Sequence, residues 1–162
     1  MISVRAAVFP RDAGAVSALV ADYLRQTEAE KGDHGLVAPH APLPDRYARE
    51  IDDPASVFAA RRVLLGSVDG VDCGVVVVDD TAGVTEISRF WTTPPARGRG
   101  VGSALLSAAL EGATGAARLS VWEWRAPALS LYRRWGFAEV ASWDDRPQLV
   151  CLERAAPVSA TT

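Results

Sequence analysis

Apolar residues recur along this chain in two rhythms. Val16, Leu19, Val20, Tyr23 and Leu24 fall at helical spacing, after Asp12 as a candidate N-cap and before Gly32 as a candidate stop. Residues 2–8 read as a short strand ahead of that helix. Residues 32–44 hold three prolines and little periodicity, which predicts a long loop leading to a short helix over 45–51. From residue 60 the rhythm becomes that of strands. Asp69-Gly70 and the polar cluster over 79–83 divide it into strands at 60–68, 71–78 and 84–92, an antiparallel meander ended by Pro94 and Pro95. A helix over about 100–111 follows, with Gly112 and Gly115 at its exit. Residues 117–124 predict a strand, and residues 126–135 a helix with Leu129, Tyr132 and Trp135 on one face. Strands at 138–143 and 149–153 flank the turn "DDRPQ". The pattern predicts one α/β (α+β) domain over residues 1–154, built on a mixed sheet with helices on both faces, and a mobile tail over 155–162.

Composition narrows the class. Hydrophobic residues make up 49% of the 162, the balance of an ordinary globular domain, and the longest apolar run, "CGVVVV", is strand-sized. No membrane partner is expected. The net charge of −3 argues against nucleic acid as the main partner. Cys73 and Cys151 lie in strand-like runs without metal-ligand spacing, and His34 and His40 sit in a loop without companion ligands, so no metal site is predicted. Nothing at the N-terminus has the basic-then-apolar pattern of a signal peptide, and a cytoplasmic setting with reduced, buried cysteines is expected. Trp91, Trp122, Trp124 and Trp143 read as core residues. Lys31 is the only lysine among 17 basic residues; genome composition alone would give that bias, and arginine is also the better bidentate phosphate ligand, so position must decide between the two readings.

One stretch calls for a ligand. "PPARGRGVGSALL" joins the third meander strand to a helix and places Gly98, Gly100 and Gly102 at the helix mouth. The first turn of a helix presents N–H groups with no internal partner and a partial positive charge, and glycine lets an anion approach them. A nucleoside-triphosphate loop requires a lysine that is missing here. A dinucleotide fingerprint fails at Ser103, where a third glycine belongs, and it expects a parallel βαβ context. An oxidoreductase that retains NAD or NADP is therefore the weakest reading.

Arg97-Gly98-Arg99-Gly100-Val101-Gly102 fits the pattern [RQ]-x-x-G-x-[GA], and "ALSLYRRWGF" follows at a later helix. With these two signatures, in this order and within this succession of elements, the chain resembles the GNAT superfamily of N-acetyltransferases over nearly its whole length. The resemblance implies a mostly antiparallel sheet of about seven strands whose fourth and fifth members splay apart. It implies acetyl-coenzyme A as cosubstrate, with its pyrophosphate on the amides of Arg97, Gly98, Arg99, Gly100, Val101 and Gly102 and a hydroxyl added by Ser103. The pantetheine arm would pair with main-chain groups along Phe90, Trp91 and Thr92, as an extra strand pairs with a sheet edge. A backbone N–H there can also polarise the thioester carbonyl.

The implied reaction is direct transfer of acetyl to a primary amine of a small molecule or protein. Such an amine is mostly protonated near neutrality, with a pKa of about 8–10.4, so a base is useful. Glu86 is the first candidate and Glu123, between Trp122 and Trp124, the second. Tyr132 matches the tyrosine that commonly protonates the departing thiolate in this family. The family often has asparagine at the mouth of this helix, as its cap and a coenzyme contact; this chain departs from that pattern with Arg125. The loop over 32–44 and the helix after it are expected on the acceptor side, and a homodimer is the assembly the resemblance implies. The alternative is a module on the same fold that binds acyl-coenzyme A without turnover.

Overall fold

The computed structural model describes residues 1–158. Its elements are β1 (Ile2–Ala6), α1 (Ala13–Asp33), α2 (Asp45–Asp52), α3 (Pro54–Val57), β2 (Arg62–Val68), β3 (Val71–Thr81) and β4 (Val84–Thr92). A 3₁₀ turn (Pro94–Ala96) precedes α4 (Val101–Leu110), β5 (Ala117–Trp122), α5 (Ala126–Arg134), β6 (Ala138–Glu139) and β7 (Leu149–Arg154). Seven strands form one sheet in the order β1-β2-β3-β4-β5-β7-β6. β4 and β5 pair in parallel, with Thr85 opposite Ala117 and Glu86 opposite Arg118. These pairs lie at the N-terminal ends of both strands, and each strand runs on past them. β1 with β2, β5 with β7, and β6 with β7 are antiparallel. The predicted mixed, mostly antiparallel α/β architecture is thus the observed one.

Two compact units emerge from the packing: residues 1–77 with 89–109, and residues 78–88 with the chain from Leu110 onward. In the first, Val16, Leu19, Val20 and Leu24 of α1 pack on Val63 and Leu65 of β2, Val75 and Val77 of β3, and Trp91 of β4. Each fully buried Val or Leu there contributes about 1.5–3 kcal/mol. The opposite face of β2 and β3 carries Gly66 and Gly74. A Cβ at either position would come within 2.9 Å of Val101 or Leu105, so these glycines let α4 lie close on the sheet. Helices therefore cover both faces of this unit's strands. In the second unit, β5 and β7 pair along six residues, and α5 buries Leu129 and Tyr132.

The differences from the expected boundaries have local causes. β1 ends at Ala6, two residues early, because the Val8 N–H donates to the Asp12 carboxylate at 2.8 Å rather than to a neighbouring strand. α1 runs past Gly32 and stops at Gly35, whose φ is +72°. There the Leu36 N–H reaches the Lys31 carbonyl and the Gly35 N–H that of Gly32, the paired bonds that close a helix on a left-handed glycine. β3 continues to Thr81, so the second hairpin turns at Ala82-Gly83 rather than across the whole polar cluster. α3, started by Pro54 with Asp53 accepting the Ser56 N–H, follows a proline-bearing start signal that the apolar rhythm does not reveal. β6 is two residues long instead of six. Beyond it the Ser142 hydroxyl donates to the Asp144 carbonyl and the Arg146 N–H to the Asp144 carboxylate, local bonds that displace strand pairing. Trp143 is half exposed rather than core. Residues 155–158 have no regular structure, and the remainder of the predicted tail, 159–162, lies outside the described residues.

Candidate active site

β4 leads directly into the glycine run. The Thr93 N–H donates to the Cys73 carbonyl of β3, the 3₁₀ turn follows, and Arg97 is extended. Gly98 (φ +78°) and Gly100 (φ +92°) then hold left-handed conformations that side chains disfavour. α4 begins at once, with the Ala104 N–H bonding the Gly100 carbonyl at 3.0 Å. The amides ahead of it belong to the turn that has no carbonyl of its own helix to meet. Residues 97–100 are exposed, and a Cβ built on Gly98 would meet nothing within 4 Å. The arrangement therefore suits an anion held by main-chain N–H groups at a helix start, flanked by the exposed Arg97 and Arg99.

Arg97 also folds back on the strand it follows. Its guanidinium stands 4.6 Å from the centre of the Trp91 ring, and its Nε donates to the Thr92 carbonyl at 3.0 Å. That carbonyl has a second lone pair with which to accept another N–H. Phe90, Trp91, Thr92 and the run from Arg97 to Ser103 all belong to the first unit.

Glu86 and Tyr132 both belong to the second unit. Glu86 is exposed on β4, in register with Arg118. Tyr132 is buried in α5, its ring edge-on to Phe137 at 5.9 Å. Glu123 is exposed, and its N–H donates to the Gln148 carbonyl. Arg125 occupies the N-cap of α5, and its side chain makes no cap bond there. The Trp122 and Trp124 rings stack at 5.1 Å. His34 is the C-cap of α1.

A family model described as an Acetyltransferase (GNAT) domain matches residues 56–139, just over half of the chain, including the whole glycine run. The chain belongs to the GNAT acetyltransferases. It is accordingly an acetyl-coenzyme A-dependent N-acetyltransferase. No curated protein gives a significant match. Solved structures share the GNAT fold across nearly the full length. One is a PaiA N-acetyltransferase from Thermoplasma acidophilum in complex with coenzyme A, at 16% identity and TM-score 0.71 over 96% of this chain and 99% of that one. Another is yncA of Salmonella typhimurium with acetyl-coenzyme A, at 19% identity and TM-score 0.68 over 99% and 96%. A third is a GNAT-family acetyltransferase from Staphylococcus aureus, at 9% identity and TM-score 0.67 over 96% and 99%.

One constellation in this GNAT protein escapes its sequence signatures. Arg89 lies in β4, immediately before Phe90, with φ at +51° in the middle of a strand. Its Nε and Nη2 grip the Glu50 carboxylate of α2, at 3.0 Å to Oε2 and 2.7 Å to Oε1 respectively. Its guanidinium stands 5.4 Å from the Tyr47 ring centre and 5.9 Å from that of Tyr23. Burial alone would weaken the hold of Arg89 on its proton. The bonds and charge of Glu50 outweigh that effect and raise the pKa above the ordinary arginine value. The sequence signal was present: Ile87, Arg89 and Trp91 share the odd positions of one strand, so the arginine falls where its neighbours are buried.

Proposed function

We propose that this enzyme transfers acetyl directly to the primary amine of a small molecule or protein, without an acyl-enzyme. Acetyl-coenzyme A supplies the acetyl group as a thioester. The amides of residues 98–102 bind the pyrophosphate, whereas the Arg97 N–H, also expected there, already donates to the Pro94 carbonyl at 3.2 Å; the Ser103 hydroxyl and the arginines beside them add donors. Main-chain groups of Phe90 and Thr92 pair with the pantetheine amides and keep the arm extended along β4. Glu86 accepts a proton from the acceptor amine, directly or through water, so that the nitrogen lone pair can attack the carbonyl carbon. Tyr132 donates its phenolic proton to the sulfur as the carbon–sulfur bond breaks. The conformation of the loop carries this reading: two left-handed glycines and open space at the start of α4, straight after β4.

The test is thiol release from acetyl-coenzyme A across a panel of amines, followed by Tyr132→Phe and Glu86→Gln. A general acid or base contributes about 10²–10⁴ in rate, so each variant should lose about a hundredfold or more in kcat while binding coenzyme A as before. An unchanged kcat in either variant removes that residue from the mechanism. Tight coenzyme binding with no thiol release for any amine would turn the reading into that of a non-catalytic binder.

A further inference from the structure

Arg89 does more than tie α2 to β4. A guanidinium has two edges that can each grip a planar two-oxygen anion, one made of Nε and Nη2 and one of Nη1 and Nη2. Glu50 takes the first. Nη1 donates no hydrogen bond among the described residues, although the N–H groups of an enclosed guanidinium ordinarily find acceptors. Nor is the pair sealed: the Arg89 side chain keeps 21% of its exposure, against 7% for Glu50.

The surroundings restrict what could meet the second edge. The Tyr23 and Tyr47 rings lie within cation–π range of the guanidinium, and Arg46 both stacks on Tyr47 and donates to its hydroxyl. Around Tyr47 there are thus two guanidinium groups, those of Arg89 and the exposed Arg46, and the one carboxylate of Glu50. The backbone points the same way. A bulky residue at positive φ inside a strand is strained, and such strain persists where the surroundings fix a side chain in one direction. If Arg89 served only as a tie, a buried ion pair would be a poor device, because hydrophobic residues hold helices to sheets as well or better. Arg89 also directly precedes the β4 segment assigned above to the pantetheine arm.

We propose that Arg89 selects the acceptor. The Nη1 edge of its guanidinium receives a carboxylate, so the amine acetylated is that of a carboxylate-bearing molecule such as a free amino acid. Tyr23 and Tyr47 exclude water from the pair, and Glu50 holds the guanidinium plane in place. This inference rests on the transferase reading and adds the substrate class.

The experiment compares free amino acids (glycine, alanine, methionine, phenylalanine, glutamate) with their carboxamides, by thiol release and by calorimetric binding to the protein saturated with coenzyme A. With the wild type, acids should exceed their amides at least about tenfold in kcat/KM, because an amide cannot use a bidentate cationic edge in the same way. Arg89→Lys keeps the charge but loses the fork. It should raise KM for the acids about tenfold, leave KM for acetyl-coenzyme A unchanged, and narrow the acid-to-amide ratio. Amides equal to or better than acids, in turnover or in binding, overturn the inference without help from any variant. A calorimetric preference for acids without thiol release for any amine would support the carboxylate site and count against the transferase reading alone.

Discussion

Asp12 stands at the N-cap of α1, but its carboxylate turns backward. It accepts the Val8 N–H and the guanidinium groups of Arg5 and Arg11, and no side-chain bond closes the helix start. The Val8 bond, with the two arginines, holds its pKa below the ordinary aspartate value. A carboxylate depressed in the folded state stabilises the protein above its unfolded pKa, and that contribution is lost as pH falls through the folded value. Asp12→Asn should therefore unfold at lower urea than wild type at pH 7, and the two midpoints should converge as pH drops below about 4. Denaturation curves across pH 3–7 would show it. Gly115 makes a second residue-scale case. A Cβ there would sit 1.8 Å from the Gly83 carbonyl oxygen, a backbone atom that cannot move aside alone. Gly115→Ala should cost about 3 kcal/mol or more, whereas Gly14→Ala in α1, with open space around it, should gain up to about 1 kcal/mol. Chemical denaturation of the two variants checks both signs.

Among elements, the β4–loop–α4 unit most nearly determines function. Gly100 has φ +92° and Ile2 Cδ1 at 3.3 Å from its would-be Cβ, so a branched side chain there meets both strain and crowding. Gly100→Val should displace the amides of residues 98–102 and abolish coenzyme A binding by calorimetry, while thermal melting reports a folded domain. A folded variant with normal affinity would count against the placement of the pyrophosphate. This unit was legible in the chain because its rules are local: prolines ending a strand, glycines at a helix mouth, and apolar positions at Val101, Leu105, Leu106 and Ala109 along the helix. β6 was not legible. Its sequence allows a strand, but the bonds among Ser142, Asp144 and Arg146 form a turn instead. The stop of α1 at Gly35 rather than Gly32 was equally hidden, since both glycines satisfy the composition rule and only the terminal bond pattern chooses between them.

For the whole molecule, the chain's own pattern determined the succession of strands and helices, the family and the glycine loop, because periodicity, turn residues and helix starts act between residues near in sequence. Acetyl-coenzyme A follows from that family. The tertiary structure alone decided how Arg89 is used. Glu50 stands 39 residues away and Tyr23 still further, and no spacing rule joins them. Their meeting depends on α1, α2 and β4 packing together, and on one strand residue held at a backbone angle that only the surrounding packing can impose. Local chemistry therefore makes the glycine loop at the start of α4 readable as a phosphate cradle. The Arg89–Glu50 pair and the rings around it depend on contacts between distant parts of the chain, which exist only once the core has formed.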